Sequence, residues 1–192
     1  MTGAARLILA TRNDHKVREF SRLLGGVELD PLPAEVELPP ETGTTYEANA
    51  LLKARAGAAA TGRPVIADDS GIEAAALDGA PGVFTARFSG PGATDAENLA
   101  KLIGLAPPGS ALRYVCALVH VAPDGTTHTF ERTCDGTMAA EARGEGGFGY
   151  DPVFVPDELA DGRTMAELTD DEKDAISHRG HAARALAAWL NG

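Results

Sequence analysis

Pro64-Val65-Ile66-Ala67-Asp68-Asp69-Ser70-Gly71 is the stretch on which the fold turns. Its apolar half predicts a buried strand from Pro64 to Asp68, with two adjacent carboxylates at the strand's end. Removing such a pair from water is costly unless cations compensate it. Lys16 and Lys53 are available, each on a segment that reads as helical. Two carboxylates with two lysines suit a polyphosphate and a divalent cation. The plainer alternative is a pair of turn-forming aspartates capping whatever follows Gly71.

Upstream of this strand, Gly62 closes an alanine-rich helix that runs from the capping box Thr44-Thr45-Tyr46-Glu47 to about Thr61. Further back, Arg6 to Ala10 reads as a short strand too apolar to be half exposed. Asn13 or Asp14 then caps a helix with Val17, Phe20, Leu23 and Leu24 on one face, ended by Gly25-Gly26. Val27 to Pro40 reads as a short extended piece and a loop. Downstream, Leu77 to Gly92 is irregular. A second capping box, Thr94-Asp95-Ala96-Glu97, opens a helix with Leu99, Leu102 and Ile103 inward. Beyond Pro107-Pro108-Gly109, Leu112 to Val121 is strand-like, turns at Pro123-Asp124-Gly125 and returns as Thr126 to Thr133. Met138 to Ala142 reads as a further strand and Gly144 to Asp151 as a glycine-rich loop. Helices at Asp170 to Ile176 and His178 to Leu190 finish the chain, with Ser177 between them. Strand–helix alternation followed by a meander predicts the α/β class, as one domain over residues 1–192 with two lobes.

At 192 residues, 44% hydrophobic and 23% charged, the chain has the composition of a globular protein with a sizeable core. A net charge of -11 excludes an extended nucleic-acid surface, although a local cluster of cations suffices for one nucleotide. No apolar run approaches the roughly 18 residues of a membrane span, so no membrane partner is expected. Met1 to Ala10 lacks the basic flank and apolar length of a signal peptide, and Cys116 and Cys134 are too few for a disulfide framework. A cytoplasmic protein is the expectation.

Five motifs carry chemistry. Thr11-Arg12-Asn13-Asp14-His15-Lys16 joins a strand to a helix, where backbone amides can meet an anion and Lys16 adds a charge. Glu41 and Lys53 flank and occupy the second helix. Asp69 and Glu41 supply the oxygen ligands that Mg²⁺ prefers, Asp68 can orient a lysine or a water, and a carboxylate at this place can take a proton from water attacking phosphorus. Phe148-Gly149-Tyr150-Asp151-Pro152 offers a ring to a planar base and a carboxylate to ring N–H groups. Lys173 and Ser177-His178-Arg179 add donors at a helix start. Singly, each is also ordinary helix punctuation or a common loop.

In order along the chain, T-x-N-x-x-K, E-T-G-T-T-Y-E-x-N-A-x-x-K-A, A-D-D-S-G, G-F-G-Y-D-P and K-x-A-I-S-H-R-G resemble the signatures of the inosine triphosphate pyrophosphatase family, from about Leu7 to Leu186. Gly79-Ala80-Pro81-Gly82-Val83 with Ala86-Arg87 resembles its middle signature. The resemblance implies an elongated mixed α/β sheet flanked by helices, with a nucleotide cleft between two lobes, and a homodimer, for which Leu112 to Val121 could lend an apolar surface. It implies Mg²⁺-assisted hydrolysis of dITP, ITP or XTP to the monophosphate and pyrophosphate. Thr11, Asn13, Lys16 and Lys53 would grip the phosphates, with Arg12, Asp14 and His15 in the same loop. Asp69 would be the general base, sharing the metal with Glu41, and Ser70 would touch substrate. Phe148 would stack on the purine, with Gly149, Tyr150 and Asp151 completing that wall. Lys173, His178 and Arg179 would read the 6-oxo group.

Three other readings stand beside this one. Maf-like pyrophosphatases for pyrimidine or modified nucleotides carry a serine- and arginine-rich first motif, which Thr11 to Lys16 does not match. An aspartyl phosphomonoesterase would want D-x-D rather than Asp68-Asp69. A binding module without catalysis would lack Asp69, Glu41 or the lysines, and all are present.

Overall fold

A computed structural model describes residues 6–192, so the first five residues of the segment read as lacking a signal peptide lie outside it. In chain order the elements are β1 (Arg6–Leu9), α1 (Asp14–Leu23), β2 (Glu28–Pro31), α2 (Tyr46–Thr61), β3 (Val65–Ala74), α3 (Asp95–Leu105), β4 (Ala111–Val121), β5 (Thr127–Met138), β6 (Phe154–Pro156), α4 (Asp170–Ile176) and α5 (His178–Asn191), with short 3-10 turns between. The strands form one sheet in the order β2-β1-β3-β4-β5-β6. Pairing is parallel from β1 to both β2 and β3 and antiparallel from β5 to β6, which bears out the mixed α/β expectation. Contacts divide the chain into two compact units. One holds the chain up to Asp69, Cys116–Arg132 and Arg179–Gly192, and the other holds Ser70–Val115 and Thr133–His178.

The first unit buries its strands on both faces, and their side chains alternate between two cores. Leu7, Leu9 and Ile66 pack with Phe20 of α1 and its C-cap Leu24, and with Ala182, Ala183 and Leu186 of α5. Ile8, Val65 and Ala67 pack with Ala50 and Ala54 of α2 on the other face. Helix α2 buries Tyr46, Asn49, Ala50, Lys53, Ala54 and Gly57, a stripe at three- and four-residue spacing that carries two polar side chains inward. Gly57 lets it lie close, since a Cβ there would come within 3.1 Å of Val65 Cγ1. The second unit is built round Ile72, Leu102, Leu112, Tyr114, Phe154 and Met165.

Several expectations need correction. The α2 cap is Thr45, whose hydroxyl accepts from Ala48 N at 3.1 Å; Glu47 instead accepts from Thr129 Oγ1 at 2.8 Å. Val17 and Ile103 are 36% and 46% exposed, so the apolar stripes of α1 and α3 are narrower than their sequences suggest. The strand expected to end at Asp68 continues as β3 to Ala74, its carboxylates paired with Lys16 and Lys53 inside the fold. Met138 ends β5 and no strand follows at Ala139 to Ala142; the short β6 comes later, after the 3-10 turn Asp151–Val153. Leu112 to Val121 cannot serve as an apolar dimer surface, because Tyr114, Val115, Cys116, Ala117, Leu118 and Val119 are spent in the interior. Among the described residues, no helix is long and apolar enough to cross a membrane.

Candidate active site

Strand geometry separates the two aspartates. Adjacent residues on β3 point to opposite faces, so Asp68 shares a side with Ile66, and Asp69 with Val65 and Ala67. On the α1–α5 side, Asp68 Oδ2 lies 2.8 Å from Lys16 Nζ and 3.5 Å from Arg179 Nε. Arg179 Nη1 also reaches Glu19 Oε2 at 2.5 Å. Asp68, Arg179 and Glu19 are all buried. Burial alone would push the Asp68 carboxyl up, but Lys16, Arg179 and Lys53 outweigh it and hold the group well below the carboxylate range. Burial likewise opposes the charge on Arg179, and Glu19 and Asp68 together overcome it. The second carboxylate oxygen of Asp68, Oδ1, is buried with no hydrogen-bond partner among the described residues.

On the α2 side the balance is reversed. Asn49 Nδ2 donates to Asp69 Oδ2 at 2.9 Å, and Asn49 is itself fixed by accepting Gly43 N at 2.7 Å. Lys53 Nζ stands 3.9 Å from Asp69 Oδ1 and 2.6 Å from Glu41 Oε1. Burial raises the Asp69 carboxyl and the like charge of Glu41 adds to it, against the pull of Lys53. Burial works against the charge of Lys53, yet Asp68, Glu41 and Asp69 keep it protonated. Asp69 is therefore the more basic of the two aspartates and the better proton acceptor, whereas Asp68 is locked as an anion. The donor set round Lys53 is all carboxylate oxygen. Among the described residues there is no group of three or more His, Cys, Asp or Glu that could enclose a metal. Two carboxylates, with remaining positions left to water and substrate oxygens, match the way hard divalent cations are held.

The loop before α1 departs from expectation. Asn13 Oδ1 accepts from the amides of His15 and Lys16 at 2.9 and 3.3 Å, and Thr11 Oγ1 accepts from Asn13 N at 3.1 Å. The first-turn amides expected to meet an anion are thus capped from within. Arg12 donates to the carbonyls of Leu32, Pro33 and Val36 at 2.7–2.8 Å, so it fastens the 32–36 loop rather than reaching for a ligand. His15 Nδ1 pairs with Arg18 at 2.8 Å, and Asp14 is an exposed first-turn residue. Lys16 is the member of this motif that the structure brings to a carboxylate.

In the second unit, which Ser70 opens, the motifs meet at Asp151. Its Oδ2 accepts from Lys173 Nζ at 2.7 Å and from Phe148 N at 2.9 Å, while Oδ1 accepts from Tyr114 Oη at 3.0 Å. Asp151 is thereby an anchor for the loop and for Lys173, not the acceptor for base N–H groups that its position in the motif suggests. Lys173 Nζ sits 5.2 Å above the Phe148 ring. The loop is pinned at two further points. Asp95 Oδ2 accepts from Gly149 N at 3.1 Å, and Tyr150 Oη donates to Thr85 O at 2.8 Å. The Tyr150 hydroxyl therefore serves the fold, and burial pushes its ionisation up. Gly147 makes the Asp151 approach possible, since it sits at φ +67 and a Cβ there would collide with Asp151 Oδ2. Gly147→Ala should cost about 1–3 kcal/mol in backbone strain alone. That lowers the melting temperature by several degrees, and a variant that melts with the wild type would show that the loop is not so held.

Arg179 requires the largest revision. Its motif grouped it with Lys173 and His178 as a reader of the 6-oxo group. Successive residues on a helix point about 100° apart. His178 lies against Tyr114 (ring centroids 4.6 Å apart, planes at 10°), while Arg179 turns to Glu19 and Asp68. Sequence reading missed Glu19, Asn49 and Tyr114. The signal for the first two was a polar residue on an otherwise apolar helix face; Tyr114, apolar in pattern, gave none.

The Ham1 family model matches residues 7–189. The chain is 46% identical to a dITP/XTP pyrophosphatase of Cutibacterium acnes, over 95% of this chain and 94% of that protein. It is 47% identical to one of Nocardia farcinica, over 97% and 95%. Among solved structures, a HAM1 protein from Coxiella burnetii superposes with a TM-score of 0.86 at 37% identity, covering 97% of this chain and 98% of that one. A nucleoside-triphosphatase / dITP/XTP pyrophosphatase from Mycobacterium abscessus does so at 0.75 and 45%, covering 96% and 98%. With a matching fold, a near-complete family match and the five motifs present in order, this chain belongs to the Ham1 family.

Proposed function

We propose that the protein hydrolyses non-standard purine nucleoside triphosphates (dITP, ITP and XTP) to the nucleoside monophosphate and pyrophosphate, clearing them from the nucleotide pool. The observation that carries this reading is the contrast at Asp68-Asp69. One aspartate is locked as an anion between Lys16 and Arg179, while its neighbour is raised beside Glu41 and Lys53. The names of relatives near half-identical over almost the whole chain support the substrate class.

Glu41 and Asp69 would hold Mg²⁺, which supplies charge neutralisation on the phosphate oxygens when bound. Lys16 and Lys53 would bind the triphosphate, and Thr11 and Asn13 shape the loop that carries Lys16. Asp69 would take the proton of the attacking water, with Asn49 holding its other oxygen in a fixed orientation. Phe148 would stack on the base, and Lys173 and His178 would donate to O6, with Ser70, Gly149, Tyr150 and Asp151 in supporting positions. A 6-oxo group accepts such donors, whereas the 6-amino group of adenine meets them donor to donor. Each buried group left unpaired costs about 1–3 kcal/mol, so a few contacts reject ATP. Guanine also bears O6, and its exclusion rests on the 2-amino group. A cytoplasmic homodimer completes the proposal.

The test is release of pyrophosphate from ITP, XTP, GTP, ATP and dTTP, with Mg²⁺ and with EDTA. Magnesium-dependent cleavage of ITP and XTP, at least tenfold over ATP and dTTP, is the expected result. Preference for a pyrimidine triphosphate would move the protein to the Maf-like alternative, and binding without cleavage would leave only a nucleotide-binding module.

A further inference from the structure

We infer that Tyr114, a buried residue of β4 outside every motif noted in the sequence, is a positioning residue that sets base selectivity by fixing both His178 and Asp151. The inference rests on the proposed reading of Lys173, His178 and Phe148 as the base-recognition set. Tyr114 touches His178 directly and reaches the other two through Asp151. Its ring lies nearly parallel to His178, with centroids 4.6 Å apart and planes at 10°. Its hydroxyl donates to Asp151 Oδ1 at 3.0 Å. The other oxygen of Asp151 holds the Lys173 ammonium and the Phe148 amide.

Tyr114 is itself held. Its ring also packs on Phe154, with centroids 4.5 Å apart, inside the core of the second unit. A strand in mid-sheet is a rigid mount, so one side chain transmits the position of the sheet to a histidine at a helix start, a lysine on a second helix and a glycine-rich loop. The two contacts act on different partners. Stacking sets the plane of the His178 ring. The hydroxyl holds Oδ1 of the Asp151 carboxylate while Lys173 and the Phe148 amide hold Oδ2, so it helps set the torsion at which the carboxylate meets Lys173. Donors that must meet O6 and clash with an amine discriminate only if they cannot shift to suit either, so the rigidity is the selective device.

Tyr114→Phe and Tyr114→Leu separate the two contacts. The kinetic constants for ITP and ATP are measured for each, together with the affinities for IMP and AMP. Tyr114→Phe keeps the stack and loses the hydrogen bond. It should raise KM for ITP and lower the ITP-to-ATP ratio of kcat/KM by about fivefold to tenfold, with kcat for ITP changed less than about twofold. Tyr114→Leu loses both contacts and should lower the ratio further, with IMP affinity falling in parallel while AMP affinity does not. Should Tyr114→Leu fail to fold, the Phe variant carries the test by itself, since it changes no packing volume. A ratio unchanged in Tyr114→Phe, or a fall in kcat equal for ITP and ATP, would overturn the inference and leave Tyr114 a core residue. A wild-type enzyme that cleaves ITP and ATP alike would overturn the functional reading, and the role of Tyr114 with it.

Discussion

Asp69→Asn should reduce kcat by a factor on the order of 10³ while leaving nucleotide affinity within a few-fold of wild type, because the substitution removes a proton acceptor without changing shape. The amide can still accept from Asn49 Nδ2, which holds the present side chain at 2.9 Å, so the geometry of β3 is retained. Burial and Glu41 make this carboxyl more basic than an ordinary aspartate, which is the property the amide loses. Asp68→Asn tests the contrast. Asp68 is held low by Lys16, Arg179 and Lys53 and is a poor base, so its replacement should disturb the lysine and the stability more than the proton transfer. Single-turnover rates with pre-bound nucleotide distinguish these outcomes. If Asp69→Asn turns over at a rate near wild type, the proton goes elsewhere.

Arg179→Ala should be the most destabilising change at the site, by about 3–5 kcal/mol, because it leaves two buried carboxylates short of a cation. Glu19 loses a partner at 2.5 Å and Asp68 one at 3.5 Å, both inside the first unit. At roughly 2–4 °C per kcal/mol for a chain of this size, the melting temperature should fall by about 6–20 °C. The pH dependence has a definite sign. A carboxyl whose folded pKa is depressed contributes stability that is present above its ordinary value of 3.8 and lost as the pH falls through the lower folded value. The gap between wild type and Arg179→Ala should therefore narrow as the pH falls below 3.8, where the unfolded chain takes up a proton that Asp68 in the folded wild type still refuses. The double variant Glu19→Gln/Arg179→Met should recover much of the loss. A melting temperature within about 3 °C of wild type for Arg179→Ala would show that Lys16 alone compensates Asp68.

Much of the fold was legible because its signals are local. Asn13, Thr94 and Gly62 cap the elements they were read to cap, and the pair of final helices divides at Ser177 as their spacing implies. The misplaced boundaries have a common cause. Charge argues against continuing a buried strand beyond Asp68, and the pattern Thr44-Glu47 allows a capping box. In both places a partner distant in sequence decides the matter: Lys16 and Arg179 for the strand, and Thr129 for Glu47. The same holds for β6, whose three residues carry no period of their own and are strand only by pairing with Gly136 to Met138.

By itself, the sequence determined most of the polar residues that meet within each unit, though not Glu19, Asn49 or Tyr114, because motifs built from turn-formers, cap residues and charged side chains keep their chemistry wherever the chain takes them. Lys16, Glu41, Lys53, Asp68 and Asp69 were all legible as one set, as were Phe148, Asp151, Lys173 and His178. What each of them touches was decided by the tertiary structure alone. The alternation of β3 sends Asp68 toward α1 and α5 and Asp69 toward α2. The 100° step of a helix sends Arg179 to Glu19 and Asp68 and away from its neighbour His178. Proton affinity follows from those partners, so two adjacent and chemically identical aspartates become a fixed anion and a more basic carboxylate. Burial and charge are properties of a residue's surroundings, and no order of residues along a chain states them until the strands and helices have packed.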